Sequence, residues 1–402
     1  MSEVSVETLR NVCVPESLGC RTMDEMTPLE SIIGQTRAIR ALCFGLDIKE
    51  PGFNIFVAGP PGTGRTTSVQ QFLEDEASDE PVSMDLCYVY NFRDSYRPNA
   101  IHLPSGRAHE LRSNMEELVV MARRDLLRVF ESEEFAQKRE ETSRGFQRKR
   151  NELFAQLNER ARDRGFALQS SPVGLITVPL KDGRPLTDEE LQSQNAEEQE
   201  ALEEQRELVQ GEVTGVLRQI RSLEKQTAEA LDGLSQEVAL YAIGPLIEDL
   251  QDVYEDCTEV VEYLDAVRAD MLDHLDQFKD ETREEASRPE MARAARDLAF
   301  RKYEVNVLVD NGDCTGAPVI IELNPTYPNL FGRIEKESRF GTLVTDFTMI
   351  REGALHRANG GYLVLPALEL LRDGQAWDSL KRSLHNGTVR VEEAAERMGF
   401  MA

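Results

Sequence analysis

Asn54-Ile-Phe-Val-Ala58 runs without a break into Gly59-Pro60-Pro61-Gly62-Thr63-Gly64-Arg65-Thr66-Thr67. The largely apolar run Asn54–Ala58 predicts a buried strand, the glycine-rich segment a tight loop, and the residues after it a helix. In that order they make a phosphate-binding loop. Its glycines let successive N–H groups turn inward, at a helix N-terminus whose dipole favours an anion. Gly59, Pro60, Pro61, Gly62, Thr63, Gly64, Arg65, Thr66 and Thr67 are therefore candidate nucleotide-binding residues, with Thr66 placed to put its hydroxyl on Mg²⁺ carried in with ATP or ADP. Arg65 stands where such loops carry lysine; it keeps the charge but is larger and planar. The competing reading is a Gly-rich turn that holds no nucleotide.

Away from this stretch the texture changes. From 111 to 300 long helical patterns dominate, whereas 1–110 and 301–402 hold most of the Gly, Pro and β-branched runs. Val209, Val213, Val216, Ile220, Leu223, Thr227, Ala230 and Leu234 recur at steps of four and three, the seam of a coiled-coil-like helix. That stretch alone is roughly 40 Å long at the rise of an α-helix. A second seam runs through Ile247, Leu250, Tyr254, Cys257, Val261, Leu264, Val267, Met271, Leu275 and Phe278. Gly244-Pro245 between them predicts a break and an antiparallel hairpin. Met115, Leu118, Leu126, Phe130, Leu153 and Leu157 predict at least one more helix over 111–164. Phe166–Gln169 and Gly174–Leu180 are β-like runs around Ser170-Ser171-Pro172, hence a small β-hairpin near 166–182.

Charge narrows the function classes. Asp and Glu number 73 against 46 Lys and Arg, a formal net of −27. Between 187 and 300 there are 31 acidic and 10 basic residues, whereas 111–165 is near balance with 11 and 13. Such a chain lacks the positive field a general nucleic-acid binder needs, and helix-face charge explains the local Lys138–Arg150 cluster equally well. There is no leader-like start and no apolar run long enough to span a membrane. The six cysteines (Cys13, Cys20, Cys43, Cys87, Cys257 and Cys314) form no CxxC pair and read as reduced thiols. A cytoplasmic location is expected, with neither membrane nor nucleic acid as partner.

Pro28–Gln35, containing Ile33-Gly34, precedes the glycine loop by about 25 residues. With it stand Cys87-Tyr-Val-Tyr-Asn-Phe92, Asn324-Pro-Thr-Tyr-Pro-Asn-Leu-Phe-Gly-Arg-Ile-Glu335, Gly341–Phe347 and His356-Arg-Ala-Asn-Gly-Gly-Tyr-Leu-Val-Leu365. Together these segments resemble the AAA+ half of the Lon-related ATP-dependent proteases, in the branch with a long helical insertion inside the ATPase module. The resemblance covers nearly the whole chain. It implies an α/β fold, a split AAA+-type P-loop αβα module carrying a long helical insertion with a small β-hairpin. The implied parts are 1–110 and 301–402 for the module, incomplete at its end, and 111–300 for the insertion. It further implies that Ile33 and Gly34 pack on the adenine, and that Leu330-Phe331-Gly332 is a pore loop gripping substrate. A core Phe beside a turn Gly is the plainer reading of the last segment. The implied partners are unfolded or misfolded proteins and further copies of the chain in a ring.

The departures from the family pattern bear on mechanism. Tyr362-Leu-Val-Leu365 should end in the acid that orders Mg²⁺ and the attacking water, but Pro366 and Ala367 follow. Glu369 is a poor substitute by direction. Lys181-Asp-Gly183 resembles part of the family's nucleophile segment yet has no serine after it, and reads as a β-turn. His356 and Asn359 read as turn-forming. The sequence is expected to be part of a longer protein or a natural fragment without the Ser-Lys protease domain, and to cut nothing by itself. Two function classes follow. One is the ATPase-like, substrate-selecting, ring-forming region of such a protease, with weak nucleotide binding and poor hydrolysis. The other is a degenerate, nucleotide-independent scaffold that assembles the ring and restricts entry.

Overall fold

A computed structural model describes residues 19, 22–25, 36–48, 50, 52–60, 62, 64–171, 174–181, 184–186, 196–279, 298–339 and 342–392. Ile33, Gly34, Pro61, Thr63, Cys13, Cys20, Gly341 and the Asp182-Gly183 turn lie outside the described residues.

The central sheet is antiparallel and joins distant parts of the chain. Strand β1 (Asp85–Val89) lies between β2 (Asn99–Leu103) and β6 (Val305–Val309). Cys87 pairs with Ile101 on one side and Val307 on the other. Alternate residues of β1 point inward, so Cys87 and Val89 are fully buried. Helix α3 (Arg107–Phe130) lays Leu111, Met115, Leu118, Ala122 and Leu126 on this sheet at steps of three and four.

Helix α4 (Glu133–Asp163) follows after a break capped by Ser132, whose hydroxyl accepts from the Phe135 N–H. It leads into the hairpin β3 (Phe166–Ser171) and β4 (Gly174–Lys181), in the place the sequence predicts, with Phe166 opposite Pro179. A two-residue strand β5 (Arg184–Pro185) extends it. Helix α5 (Ala196–Val253) returns antiparallel to α4: Arg164 pairs with Glu212 at 2.7 Å, and Lys138 and Thr142 lie across from Gly233 and Leu234. Leu157, Ala161, Phe166, Val209 and Val213 form the core near the tip of this arm.

The Gly244-Pro245 break is not made. Helix α5 continues through Pro245 for 58 residues. Proline removes one hydrogen bond and crowds the carbonyl four residues back, and Tyr241 there is exposed, leaving that carbonyl's turn open to solvent. The chain turns instead at Tyr254–Cys257, where Arg107 grips the Asp256 carboxylate at 2.9 Å and the Val253 carbonyl at 2.7 Å, and lies over the Tyr254 ring. Helix α6 (Thr258–Asp273) then runs back along α5, and a single turn α7 (Asp276–Lys279) closes the segment. The second seam is buried as its periodicity predicts: Ile247, Tyr254, Leu264, Val267, Met271 and Phe278 join the core that also holds β1, β2 and α3.

Beyond the central sheet, β7 (Val319–Ile321) pairs in parallel with β12 (Tyr362–Val364). Helix α8 (Tyr327–Phe331), the short strands β8 (Arg333–Ile334), β9 (Glu337–Arg339), β10 (Thr342–Val344) and β11 (Ile350–Arg351), and helix α9 (Ala354–Arg357) lie between them in sequence. Helices α10 (Ala367–Arg372) and α11 (Gly374–Asn386) follow β12, and this part has its own core of Tyr327, Leu330, Phe331, Ala354, Leu370, Ala376 and Leu380.

Candidate functional site

The glycine loop has the backbone its sequence implies at its described positions. Gly62 and Gly64 take left-handed conformations, φ 79° and 75°, which residues with a side chain adopt only at a cost. A helix of fourteen residues starts at Arg65 and ends at Ser78, with no side chain capping its first N–H groups. Gly59, Pro60, Gly62, Gly64, Arg65, Thr66 and Thr67 are all exposed. Uncapped N–H groups at the positive end of a helix, behind two left-handed glycines, are what an incoming phosphate requires.

The strand before the loop is a correction. Asn54–Ala58 forms no strand and pairs with none among the described residues, and Phe53 and Phe56 are 62% and 77% exposed. A buried strand needs ladder partners as well as apolar side chains. Here β1 is taken up by β2 and β6, and β7 by β12 on one side. Ile55 lies beside Gly45 of α1 (Thr36–Asp47).

Two contacts orient the loop helix, here α2 (Arg65–Ser78). Its last turn accepts the Ala317 N–H at the Ala77 carbonyl, 2.9 Å, and Glu80 beyond it accepts from the Tyr362 hydroxyl at 3.2 Å. Both fall where β7 and β12 begin. The opposite ends of those strands carry Glu322 and Leu365-Pro366, and the Glu322 N–H donates to the Val364 carbonyl at 3.1 Å. Ligands of parallel α/β sheets sit at such carboxyl ends.

The acid expected after Tyr362-Leu-Val-Leu365 is absent there. Pro366 precedes α10 and Ala367 begins it. Glu369 is held by Arg372 through both carboxylate oxygens, at 2.7 and 2.9 Å, on the exposed side of α10. Glu322 is the carboxylate that sequence reading missed. It is largely buried, accepts the Asn324 N–H at 2.8 Å and lies 3.9 Å from Arg357. The signal was an apolar strand ending in a single acid, Val319-Ile-Ile-Glu322.

Leu330-Phe331-Gly332 is also corrected. Leu330 and Phe331 are 0% and 1% exposed, and the Phe331 ring stacks on Tyr327 at 4.6 Å. Gly332 has φ 85°, with the Arg351 carbonyl pressed against it. Residues that grip a passing chain must project, and these form a core, because one turn of helix directs both side chains inward against α11. His356 is buried as well: its Nδ1 accepts the Gly353 N–H at 3.1 Å, and burial pushes its pKa down against a smaller opposing effect of Glu352. It sits in the short helix α9 and caps its start, where the sequence suggested a turn.

Among the described residues no group of His, Cys, Asp and Glu could hold a metal ion. Cys43, Cys87, Cys257 and Cys314 are free thiols. No helix described is long and apolar enough to cross a membrane.

Two family models match separate parts of the chain. A family model described as LonB-like, AAA domain matches residues 315–402, which span β7 to α11. A second, described as Lon-like LonC helical domain, matches residues 85–118, from β1 into α3. No curated protein matches the chain. The two matches fall on separate parts of one polypeptide and support its kinship with the Lon-related proteases.

Proposed function

We propose that this chain is the ATPase-like, substrate-selecting and ring-forming region of a Lon-related ATP-dependent serine protease, binding nucleotide weakly and hydrolysing it poorly. The observation that carries the reading is the backbone at Gly62 and Gly64, left-handed and followed at once by an uncapped helix. In this reading Gly59–Thr67 receive the phosphates and Thr66 orients the Mg²⁺. The AAA+-type module then comprises 1–110 and 301–402, with 111–300 inserted. Hydrolysis is poor because Pro366 and Ala367 supply no carboxylate and Arg65 replaces the loop lysine. The partners are unfolded proteins and further copies in a ring, in the cytoplasm.

A second reading is favoured by the pairing of Glu369 with Arg372, which leaves that carboxylate engaged elsewhere. Here the module is a nucleotide-independent scaffold that assembles the ring and restricts entry.

Calorimetric titration of ATP and ADP with Mg²⁺ separates the two. Micromolar binding, lost in Arg65→Ala and accompanied by little phosphate release, is the expected result. No heat up to millimolar nucleotide would leave the scaffold reading standing. Rapid turnover would refute the assignment of poor hydrolysis.

A further inference from the structure

Helix α5 carries two charge stripes on one line. Glu200, Glu203 and Glu207 follow one another at steps of three and four, and so do Arg218, Arg221 and Lys225. Each acid precedes its basic counterpart by eighteen residues, which is five turns at about 3.6 residues each and about 27 Å of helix. Both stripes therefore point the same way. All six residues are exposed. They lie on the side of α5 away from α4, because Val209, Val213 and Ile220, on the opposite side, fill the buried seam.

Between the stripes, on the same line, stand Gly211 and Thr214, both exposed. A side chain added at Gly211 would meet no atom within 4 Å. Helix axes approach most closely where the facing side chains are small. Glu200, Glu207, Arg218 and Arg221 form no ion pair among the described residues. Glu203 and Lys225 pair only with exposed neighbours on their own helix, Arg206 at 3.3 Å and Glu229 at 3.6 Å. Such pairs are weak and exchange readily.

We propose that this face of α5 binds the same face of a second copy of the chain, antiparallel and two-fold symmetric. Reversing one helix against the other sets Glu200 opposite Lys225, Glu203 opposite Arg221, Glu207 opposite Arg218, and Gly211 opposite Thr214 at the crossing. The spacing of the two stripes matches in reverse order to within one residue. A parallel, shifted pairing would match only one stripe of each helix and leave the other to recruit a further copy, an open arrangement, whereas the two-fold contact closes on itself. A nucleic acid does not fit the line. Its uniform negative charge would suit Arg218–Lys225 and meet Glu200–Glu207 on the same face. This arm-to-arm contact requires neither nucleotide nor the ring.

The test uses the whole chain in analytical ultracentrifugation. One variant, Arg218→Glu/Arg221→Glu/Lys225→Glu, has two acidic stripes; the other, Glu200→Lys/Glu203→Lys/Glu207→Lys, has two basic ones. Circular dichroism establishes that each keeps its helix. The expected result is self-association of the unaltered chain at low salt, weakening about ten-fold or more as salt shortens the reach of exposed charges. Neither variant associates through this face alone, and the two form a one-to-one complex on mixing. A Gly211→Cys/Thr214→Cys variant crosslinks between copies in the antiparallel register and not in the shifted parallel one. A monomeric unaltered chain, variants that associate like the unaltered chain, or a mixture that fails to pair would each overturn the proposal. So would binding of duplex DNA that depends on Arg218–Lys225 without self-association.

Discussion

Asp85 is the side chain whose loss should cost most for its size. It is fully buried at the start of β1. One carboxylate oxygen accepts the Asn311 N–H at 2.7 Å and the other accepts the Ala108 N–H at 3.0 Å. Those N–H groups belong to the segment after β6 and the first turn of α3, so one carboxylate ties three separate parts of the chain. Hydrogen bonds to a charged group contribute about 1.5–3 kcal/mol each, and an orphaned buried donor carries its own penalty. Asp85→Ala should therefore lose about 3–6 kcal/mol, a large share of a total that is typically about 5–15. Asp85→Asn keeps one acceptor and turns an N–H₂ toward the other donor, so about 2–3 kcal/mol is expected. Urea unfolding followed by circular dichroism measures both. Cys87 gives a local readout, since burial first and the nearby Asp85 and Asp310 charges second push its thiol up to about 12. In Asp85→Asn it should react faster with a thiol reagent as the sheet end opens. A stability within about 0.5 kcal/mol of the unaltered protein for Asp85→Asn would refute the reasoning, because the carboxylate would then add nothing over a neutral amide.

Two further outcomes rest on the second core. Gly332→Ala would place a methyl 2.2 Å from the Arg351 carbonyl at φ 85°, so a loss of about 3 kcal/mol or more is expected, read as an earlier thermal transition. His356 is held neutral by burial, its folded pKa lying below 6.5. The unfolded chain then binds the proton more readily, so stability is complete above about 6.5 and falls as pH drops through that value toward the folded pKa. Denaturant melts from pH 7.5 to 5 should show this loss, and His356→Gln should flatten it.

The helical middle was legible because seams at steps of three and four bury the same residues whatever they pack against. The β-hairpin at 166–181 was legible for a similar reason, since two apolar runs and a turn pair locally. Position in the sequence was a poorer guide where tertiary contacts decide. Gly244-Pro245 looked like a corner, but Arg107, more than 130 residues earlier, places the corner at Tyr254–Cys257. Asn54–Ala58 looked like a strand because its composition is apolar, yet pairing depends on which edges remain open. At the candidate site, the glycine conformations followed from residue type alone. Glu322 did not, because its importance comes from the parallel neighbour, Val364, that brings it beside Pro366. Leu330-Phe331 was ambiguous between grip and core, since both uses call for a large apolar residue next to glycine.

The pairing of β1 with β6 sets Leu86 beside Val309, and everything from α3 to α7 hangs from that ladder as one closed loop. For a loop of more than 200 residues, bringing the ends together as flexible chain costs about 5 kcal/mol. The long helices form from neighbours in sequence and need no such closure, so they shorten the effective gap before the last strand arrives. During synthesis the β1–β2 hairpin emerges first and must wait, its outer edge bare, until residue 305 has been made. The arm is thus more than a projection from the sheet: folded early, it brings β6 back to an edge that would otherwise be open to other chains.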